Sequence, residues 1–197
     1  MSNGVSKKGM YKEIIKWVID LIFQPAKAWK ALARKEETQE EFLSRFVYPI
    51  IGLVTVCAFV GVLLTRKEFD LELALKSSIR TFVSSFGGFY LGAYLMNEIW
   101  QGFFKRAKDM RLWMRFIGYG SSLLFALNVI LTLLPEFFFL RIFILYTFYM
   151  IWEGAEPYMH VEEEIRLKFV AITTAVLLLT PSVIEIVLSM LMPGLSF

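Results

Sequence analysis

The sequence predicts an all-α membrane protein, a polytopic bundle of five helical spans with an amphipathic interfacial helix at its N-terminus. The chain has 197 residues, and 57% of them are hydrophobic, whereas a soluble domain is usually about 45–50% apolar. The apolar residues are gathered into blocks of about 20, the length that crosses a bilayer. Polar segments that carry lysine and arginine separate these blocks, as is typical of polytopic membrane proteins.

Five blocks define the predicted spans. They cover residues 48–65, 80–100, 112–134, 137–152 and 169–192. Runs of this length without strict alternation argue against the strands of an outer-membrane barrel. We therefore expect a cytoplasmic segment with amphipathic helices over residues 1–45 and a five-span domain over residues 46–197.

The distribution of cations predicts the orientation. The N-terminal segment and the loops after the second and fourth blocks hold, with Arg115 at the start of the third block, 16 of the 21 lysine and arginine residues. Because cytoplasmic loops carry an excess of these residues, we expect a cytoplasmic N-terminus and an external C-terminus. The net charge of +3 is too small to indicate nucleic-acid binding.

The segment before the first span is too charged to cross a bilayer. Apolar residues from Tyr11 to Ile22 share one helical face, and Pro25 begins a second helix in which Trp29 faces away from the lysines. Such helices lie in the membrane interface, or they pack beneath the bundle as a floor. Further on, Thr38 and Glu41 have the spacing of a capping box.

The cytoplasmic face is the predicted contact surface. It combines the amphipathic segment with a basic loop, and its candidate residues are Trp17, Lys27, Trp29, Lys30, Lys105, Arg106, Lys108 and Arg111. Clustered cations beside an apolar helix face favour anionic lipids, and a cytoplasmic protein partner is a second expected ligand.

Small residues in the second and third blocks predict close helix packing. They recur at helical spacing at Ser84, Gly88, Gly92, Gly118 and Ser122. Such residues let two helix backbones approach each other in lipid. We expect seams within one chain rather than between chains, although a homo-oligomer stays open.

Two charged residues inside predicted spans form a candidate pair. Arg141 in the fourth block and Glu185 in the fifth fall at similar depth when residues are counted from opposite span ends. An intramembrane charge normally has a partner. The pair is either a proton or ligand site or a structural clamp; a snorkelling arginine is a further interpretation.

Several motifs together resemble the Yip-type family, also called the YPT-interacting-protein or Yip-one-domain family. They are Pro25 with Trp29, Tyr48 with Pro49, and the stretch GYGSS that begins at Gly118. The resemblance implies five packed spans and assigns Gly118 and Tyr119 a packing role. Eukaryotic members are associated with Rab GTPases and carry a DLYGP-like motif, which this chain lacks. It is therefore more similar to the compact bacterial branch, which implies a location in a bacterial inner membrane.

Two functions follow as hypotheses. The first is a non-enzymatic membrane protein that binds or organises lipid or partner proteins through its cytoplasmic face. The alternative is a small transporter that uses the Arg141 and Glu185 region. An enzyme is the weakest interpretation, because no nucleophile lies at a sensible spacing from a base. The lone Cys57 and lone His160 predict neither a metal site nor a cofactor site.

Overall fold

The chain folds into helices that are joined by short connections. The computed structural model describes residues 7–65 and 70–191, and every regular element in these ranges is helical. The α-helices there are α1 Lys7–Phe23, α2 Pro25–Ala33, α3 Gln39–Phe42, α4 Tyr48–Thr65, α5 Leu71–Gly102, α6 Met110–Gly120, α7 Ser122–Leu133, α8 Tyr146–Met159 and α9 Glu163–Leu191. A π-helical turn at Leu43–Val47 joins α3 to α4, and a 3₁₀ helix at Pro135–Leu145 joins α7 to α8. The predicted all-α class is confirmed.

The capping box forms where the sequence predicts it. The Glu41 backbone N–H donates to the Thr38 hydroxyl at 3.1 Å, and the Thr38 N–H donates to the Glu41 carboxylate at 3.0 Å. Two backbone donors at the start of α3 are thereby satisfied. This cap fixes the point at which the chain turns towards its first span.

Four helical stretches in the described part of the chain are long and apolar enough to cross a membrane. They are Gln39–Thr65, Met110–Leu133, Pro135–Met159 and Glu163–Leu191, and they match the first, third, fourth and fifth predicted spans. The second predicted span lies in α5, which has 32 residues. Its serine and glycine residues lower its mean hydropathy below that of the four stretches, so α5 is not among them. Five crossings therefore stay a prediction.

The fourth span does not start as an α-helix. Pro135–Leu145 forms a 3₁₀ helix, and none of its side chains is buried. Its phenylalanine and isoleucine side chains lose rotamer freedom in an α-helix, which weakens the α-helical preference of this run. Because a 3₁₀ helix rises about 2.0 Å per residue rather than about 1.5 Å, depths counted at the α-helical rise are shifted here.

The helix α5 packs against three neighbours, α4, α6 and α9. The N-terminal helices belong to the same core, since α1 packs against α2, α6 and α7, and α2 packs against α8. Ile14, Leu21 and Trp29 are part of the buried apolar cluster that also contains Phe169 of α9. The segment predicted over residues 1–45 thus shares its core with the spans.

The close approach of α4 and α7 depends on Gly61. A Cβ atom there would overlap the Thr132 carbonyl oxygen, a backbone atom that cannot rotate away. We expect Gly61→Ala to lower the free energy of unfolding by about 1–3 kcal/mol, measured as thermal unfolding in detergent. Gly52→Ala on the same helix is the control, because a Cβ there meets no atom within 4 Å. Equal melting temperatures for the two variants would contradict the α4–α7 contact.

Candidate functional site at the membrane interface

Trp29 anchors α2 to the bundle. Its side chain is fully buried, its indole N–H donates to the Met150 carbonyl at 2.9 Å, and its ring centroid lies 4.9 Å from that of Phe116. Gly154 makes room for the ring, since a Cβ there would lie 2.6 Å from a ring atom. The prediction that Trp29 is part of an exposed contact surface is therefore wrong. Both its apolar ring and its N–H find partners between α6 and α8.

The helix α1 has two apolar faces. One packs into the bundle through Ile14 and Leu21, which are buried. The other is an outward stripe of large side chains at steps of four residues, each 45–76% exposed: Tyr11, Ile15, Ile19 and Phe23. We call these four residues the α1 stripe. An exposed apolar stripe of this kind is typical of a helix that lies in a lipid interface.

Exposed cations accompany the α1 stripe. Lys12 and Lys16 lie beside it on α1, and both are exposed. Neither forms an ion pair within residues 7–65 and 70–191. A cation next to an apolar stripe is placed for an anionic head group, because its stem covers apolar surface while its charge stays in water.

The other predicted residues of the N-terminal helices also lie at the surface. Lys27 and Lys30 are exposed on α2, and the Lys27 ammonium donates to the Gln24 side chain at 3.0 Å. Trp17 is half-buried, and the Lys35 ammonium lies 5.3 Å from its ring centroid. This cation–π contact joins the connection after α2 to α1.

A polar network that the sequence interpretation missed joins the α2–α3 connection to α6. The Glu37 carboxylate accepts from the Tyr119 hydroxyl at 2.7 Å and pairs with Lys35 at 2.8 Å. Arg115 donates to the Glu37 carbonyl at 2.6 Å. Because the Glu37 side chain is only 9% exposed, these partners replace water around its charge. In the sequence these residues are only charges near the first and third predicted spans, and that pattern does not indicate which of them pair.

Acidic side chains neutralise half of the predicted basic loop. The pairs are Arg106 with Glu162 and Lys108 with Glu98, the latter at 2.5 Å. Lys105 and Arg111 are exposed, and no ion pair involves them in the described ranges. The loop therefore presents two uncompensated cations rather than four.

Three predicted small residues lie where α5 meets α9. A Cβ at Gly88 would lie 2.9 Å from the Pro181 Cβ, and one at Gly92 would lie 3.3 Å from the Thr180 hydroxyl oxygen. The Thr180 hydroxyl also donates a hydrogen bond to the Gly88 carbonyl oxygen at 3.2 Å. Ser84 is buried one turn away on the same face. Small side chains thus allow the two helices to approach closely.

The structure does not bring Arg141 and Glu185 together. Glu185 on α9 accepts a hydrogen bond from the Ser84 hydroxyl at 3.3 Å, whereas Arg141 is exposed on the 3₁₀ helix. No ion pair in the described part of the chain contains either residue. The 3₁₀ rise shifts the depth of Arg141, and depth alone does not determine which way a side chain points.

The remaining predicted packing residues lie on the buried side of α6 and α7. A Cβ at Gly118 would lie 2.5 Å from a ring atom of Phe42. Tyr119 and Ser122 are fully buried. The Tyr119 hydroxyl reaches the polar network, while the Ser122 hydroxyl has no hydrogen-bond partner among the described residues.

The described ranges contain no candidate metal site. No group of three or more histidine, cysteine, aspartate or glutamate side chains there is placed to hold an ion. Cys57 is buried in α4. The features that the structure shows at this face are the α1 stripe, exposed cations and the paired carboxylate of Glu37.

The comparison with known proteins decides the family. A family model described as the Yip1 domain matches residues 19–184. The chain belongs to the Yip1 domain family. No curated protein and no solved structure matches it. In this Yip1-domain protein the matched region starts within the α1 stripe at Ile19 and includes Trp29 and the polar network. It ends at Ile184, so Glu185 lies outside it.

The hydrogen bond of Trp29 can be tested by a substitution that keeps most of the ring. Trp29→Phe leaves the Met150 carbonyl without the indole donor, so we expect the free energy of unfolding to fall by about 1–3 kcal/mol. Thermal unfolding in detergent measures the change. Trp17→Phe is the matched control, because Trp17 is half-buried. A Trp29 variant as stable as this control would refute the anchoring role.

Proposed function

We propose that this Yip1-domain protein is a non-enzymatic integral membrane protein that binds or organises anionic lipid and partner proteins through its cytoplasmic face. The observation that carries the proposal is the α1 stripe, a row of large apolar side chains that face away from a well-packed core. Trp29 holds α2, and α2 holds α1, so the stripe is presented in a fixed direction.

The lipid part of the proposal rests on the combination of the α1 stripe with Lys12 and Lys16. Burying apolar side chains in the interface supplies binding that does not depend on salt. Each cation near an anionic leaflet adds about 1 kcal/mol. The polar side of α1 carries Glu13 and Asp20, which favour the aqueous side. The helix is thus apolar towards lipid, basic at its margin and acidic towards water.

The partner-protein part rests on cations that no carboxylate of the described residues neutralises. Lys27 and Lys30 lie opposite the buried face of α2, Lys105 lies on the loop between α5 and α6, and Arg111 lies in the first turn of α6. These side chains would pair with an acidic surface. Exposed charges of this kind govern the rate and specificity of association more than affinity.

We further propose five crossings, with the N-terminus in the cytoplasm and the C-terminus outside, in a bacterial inner membrane. The case for α5 as a crossing is its packing. Tyr90 of α5 shares a hydrogen bond of 2.8 Å with Tyr48 at the start of α4, and Leu73 of α5 packs with Val62 near the end of α4. α5 therefore runs antiparallel along α4. Assignment to the compact bacterial branch rests on the missing DLYGP-like motif.

The transporter alternative has less support. It needs a polar site that Arg141 and Glu185 share, and Glu185 is bonded to Ser84 instead. A single carboxylate with a hydroxyl partner is not a polar pathway across the membrane.

Lipid selectivity tests the proposed function. We expect Lys12→Gln combined with Lys16→Gln to reduce the retention of anionic relative to neutral lipid, by up to about fivefold per cation. The measurement is mass spectrometry of lipids that copurify with the full-length protein in mild detergent. The matched control is Lys105→Gln combined with Arg111→Gln, which removes the same charge from the loop. Unchanged selectivity in the α1 variant, or an equal loss in both variants, would count against α1 as the lipid contact.

Topology is tested with fused reporters. A reporter after Phe197 should be active only outside the cytoplasm, because an odd number of crossings separates the two ends of the chain. A reporter inserted after Ala107, in the loop between α5 and α6, should be active only inside. Cytoplasmic activity at both positions would exclude five crossings.

A further inference from the structure

An open cleft lies where the connection between α2 and α3 meets α6. Its volume is about 500 Å³, which is within the range of small-molecule sites. Two cations, three carboxylates and a hydroxyl line it: Lys35, Glu36, Glu37, Thr38, Glu41 and Arg115. Because every lining side chain is polar, the cleft is suited to a polar ligand with charges of its own.

Three of these charges are already paired within the protein. The Glu37 carboxylate binds the Lys35 ammonium at 2.8 Å. Glu41 accepts from the Thr38 N–H at 3.0 Å and lies 3.7 Å from the Arg45 guanidinium. These groups therefore form the walls of the cleft, and two lining charges are left for a ligand.

Arg115 is the lining cation whose charge is not compensated. Its side chain is half-buried, and one N–H donates to the Glu37 carbonyl, a neutral acceptor, at 2.6 Å. No carboxylate of the described residues forms an ion pair with it, and its Nε has no hydrogen-bond partner among them. A guanidinium has five N–H donors in a fork that matches phosphate. Arg115 thus has donors left for a phosphoryl group.

Glu36 supplies an uncompensated negative charge to the same cleft. Its side chain is exposed, and no cation of the described ranges forms an ion pair with it. Glu41 differs, since the backbone N–H and the hydroxyl of Thr38 both bond to it. An ammonium group in the cleft would therefore find its free acceptor at Glu36.

The lengths of the neighbouring apolar stretches place the cleft at the level of lipid head groups. Gln39–Thr65 begins directly after Thr38, and Met110–Leu133 begins just over one turn before Arg115. The first stretch has 27 residues and is about 40 Å long, whereas the hydrocarbon core is about 30 Å thick. Its ends therefore extend into the head-group layers, and the cleft lies beside one of these ends.

We propose that this cleft binds the head group of a phospholipid that carries a primary ammonium, such as phosphatidylethanolamine. The phosphoryl oxygens accept hydrogen bonds from Arg115, and the ammonium donates to Glu36. A purely anionic head group would leave Glu36 without a partner and would face the other carboxylates of the cleft. The site goes beyond the proposed function, because α1 selects lipid by net charge and the cleft selects it by the N–H donors of the ammonium.

Competition between two zwitterionic lipids tests the cleft. Phosphatidylethanolamine and phosphatidylcholine have the same net charge, but the methyl groups of choline remove every N–H donor. The full-length protein in mild detergent is mixed with equal amounts of the two dioleoyl lipids, and the bound lipid is identified by native mass spectrometry. We expect phosphatidylethanolamine to be retained about fivefold more than phosphatidylcholine. Equal retention would overturn the proposal.

Glu36→Gln should bring this retention ratio close to one, because it removes the charge that holds the ammonium. Glu40→Gln is the matched control, since Glu40 is exposed nearby and does not line the cleft. An unchanged ratio in the Glu36 variant, or an equal loss in both variants, would contradict the assignment. Lys12→Gln combined with Lys16→Gln should leave the ratio unchanged, so failure of the α1 contact and failure of the cleft are distinguishable.

Arg115→Gln tests the phosphoryl contact. We expect the retention of both zwitterionic lipids to fall about fivefold or more, while Arg111→Gln, exposed one turn earlier on α6, retains them as the wild type does. If Arg115→Gln does not fold, Arg115→Lys replaces it, because lysine keeps the charge and loses the fork. Full retention in the Arg115 variant would refute the contact. Displacement of the lipid by an equimolar amount of soluble glycerophosphoethanolamine would refute the membrane source of the ligand.

Discussion

The hydrogen bond from the Trp29 indole to the Met150 carbonyl is the contact on which the position of the N-terminal helices depends. It joins two residues 121 positions apart and fixes α2 against α8 before the first span begins. Gly154 makes this hydrogen bond possible, because any side chain there would occupy the space of the Trp29 ring. An unpaired indole N–H in this core would cost about 1–3 kcal/mol, so the bond also selects the direction in which the tryptophan enters.

Close packing at α5 is the second constraint, and it explains why this helix is the least apolar of the predicted spans. A helix that touches three neighbours needs small side chains where the backbones approach, and Gly88 and Gly92 supply them towards α9. In lipid, packing rather than hydrophobicity drives helix association. The small side chains that allow this close contact therefore also lower the hydropathy of α5.

The sequence was sufficient for properties set by local chemistry and periodicity. The helical class follows from apolar blocks of spanning length, and the cap at Thr38 follows from four consecutive residues. It was insufficient where an outcome depends on a distant partner. A helical wheel shows that Trp29 and Lys30 lie on different faces of α2, but it does not show which face meets protein. Trp29 faces the protein because Gly154, which is distant in the sequence, leaves room for its ring.

Depth counting failed for a related reason. Counting residues from the span ends puts Arg141 and Glu185 at one depth only if every residue has the same rise, and it takes no account of rotation about the helix axis. The 3₁₀ helix changes the rise, and the α5–α9 seam turns Glu185 towards Ser84. The pairing of Glu37 with Tyr119 was equally out of reach, since two separate segments contribute a side chain each. Spacing within one helix restricts neighbours on that helix only.

The orientation of α1 follows from polar contacts at both of its ends. Near its start, Lys35 lies 3.6 Å from the Glu13 carboxylate and above the Trp17 ring, while also pairing with Glu37. At its end, the Ile22 carbonyl accepts from the Tyr146 hydroxyl. Rotating α1 to bury its outward stripe would break both sets of contacts and expose Ile14 and Leu21. The stripe is thus held outward by the fold, as the proposed lipid contact requires.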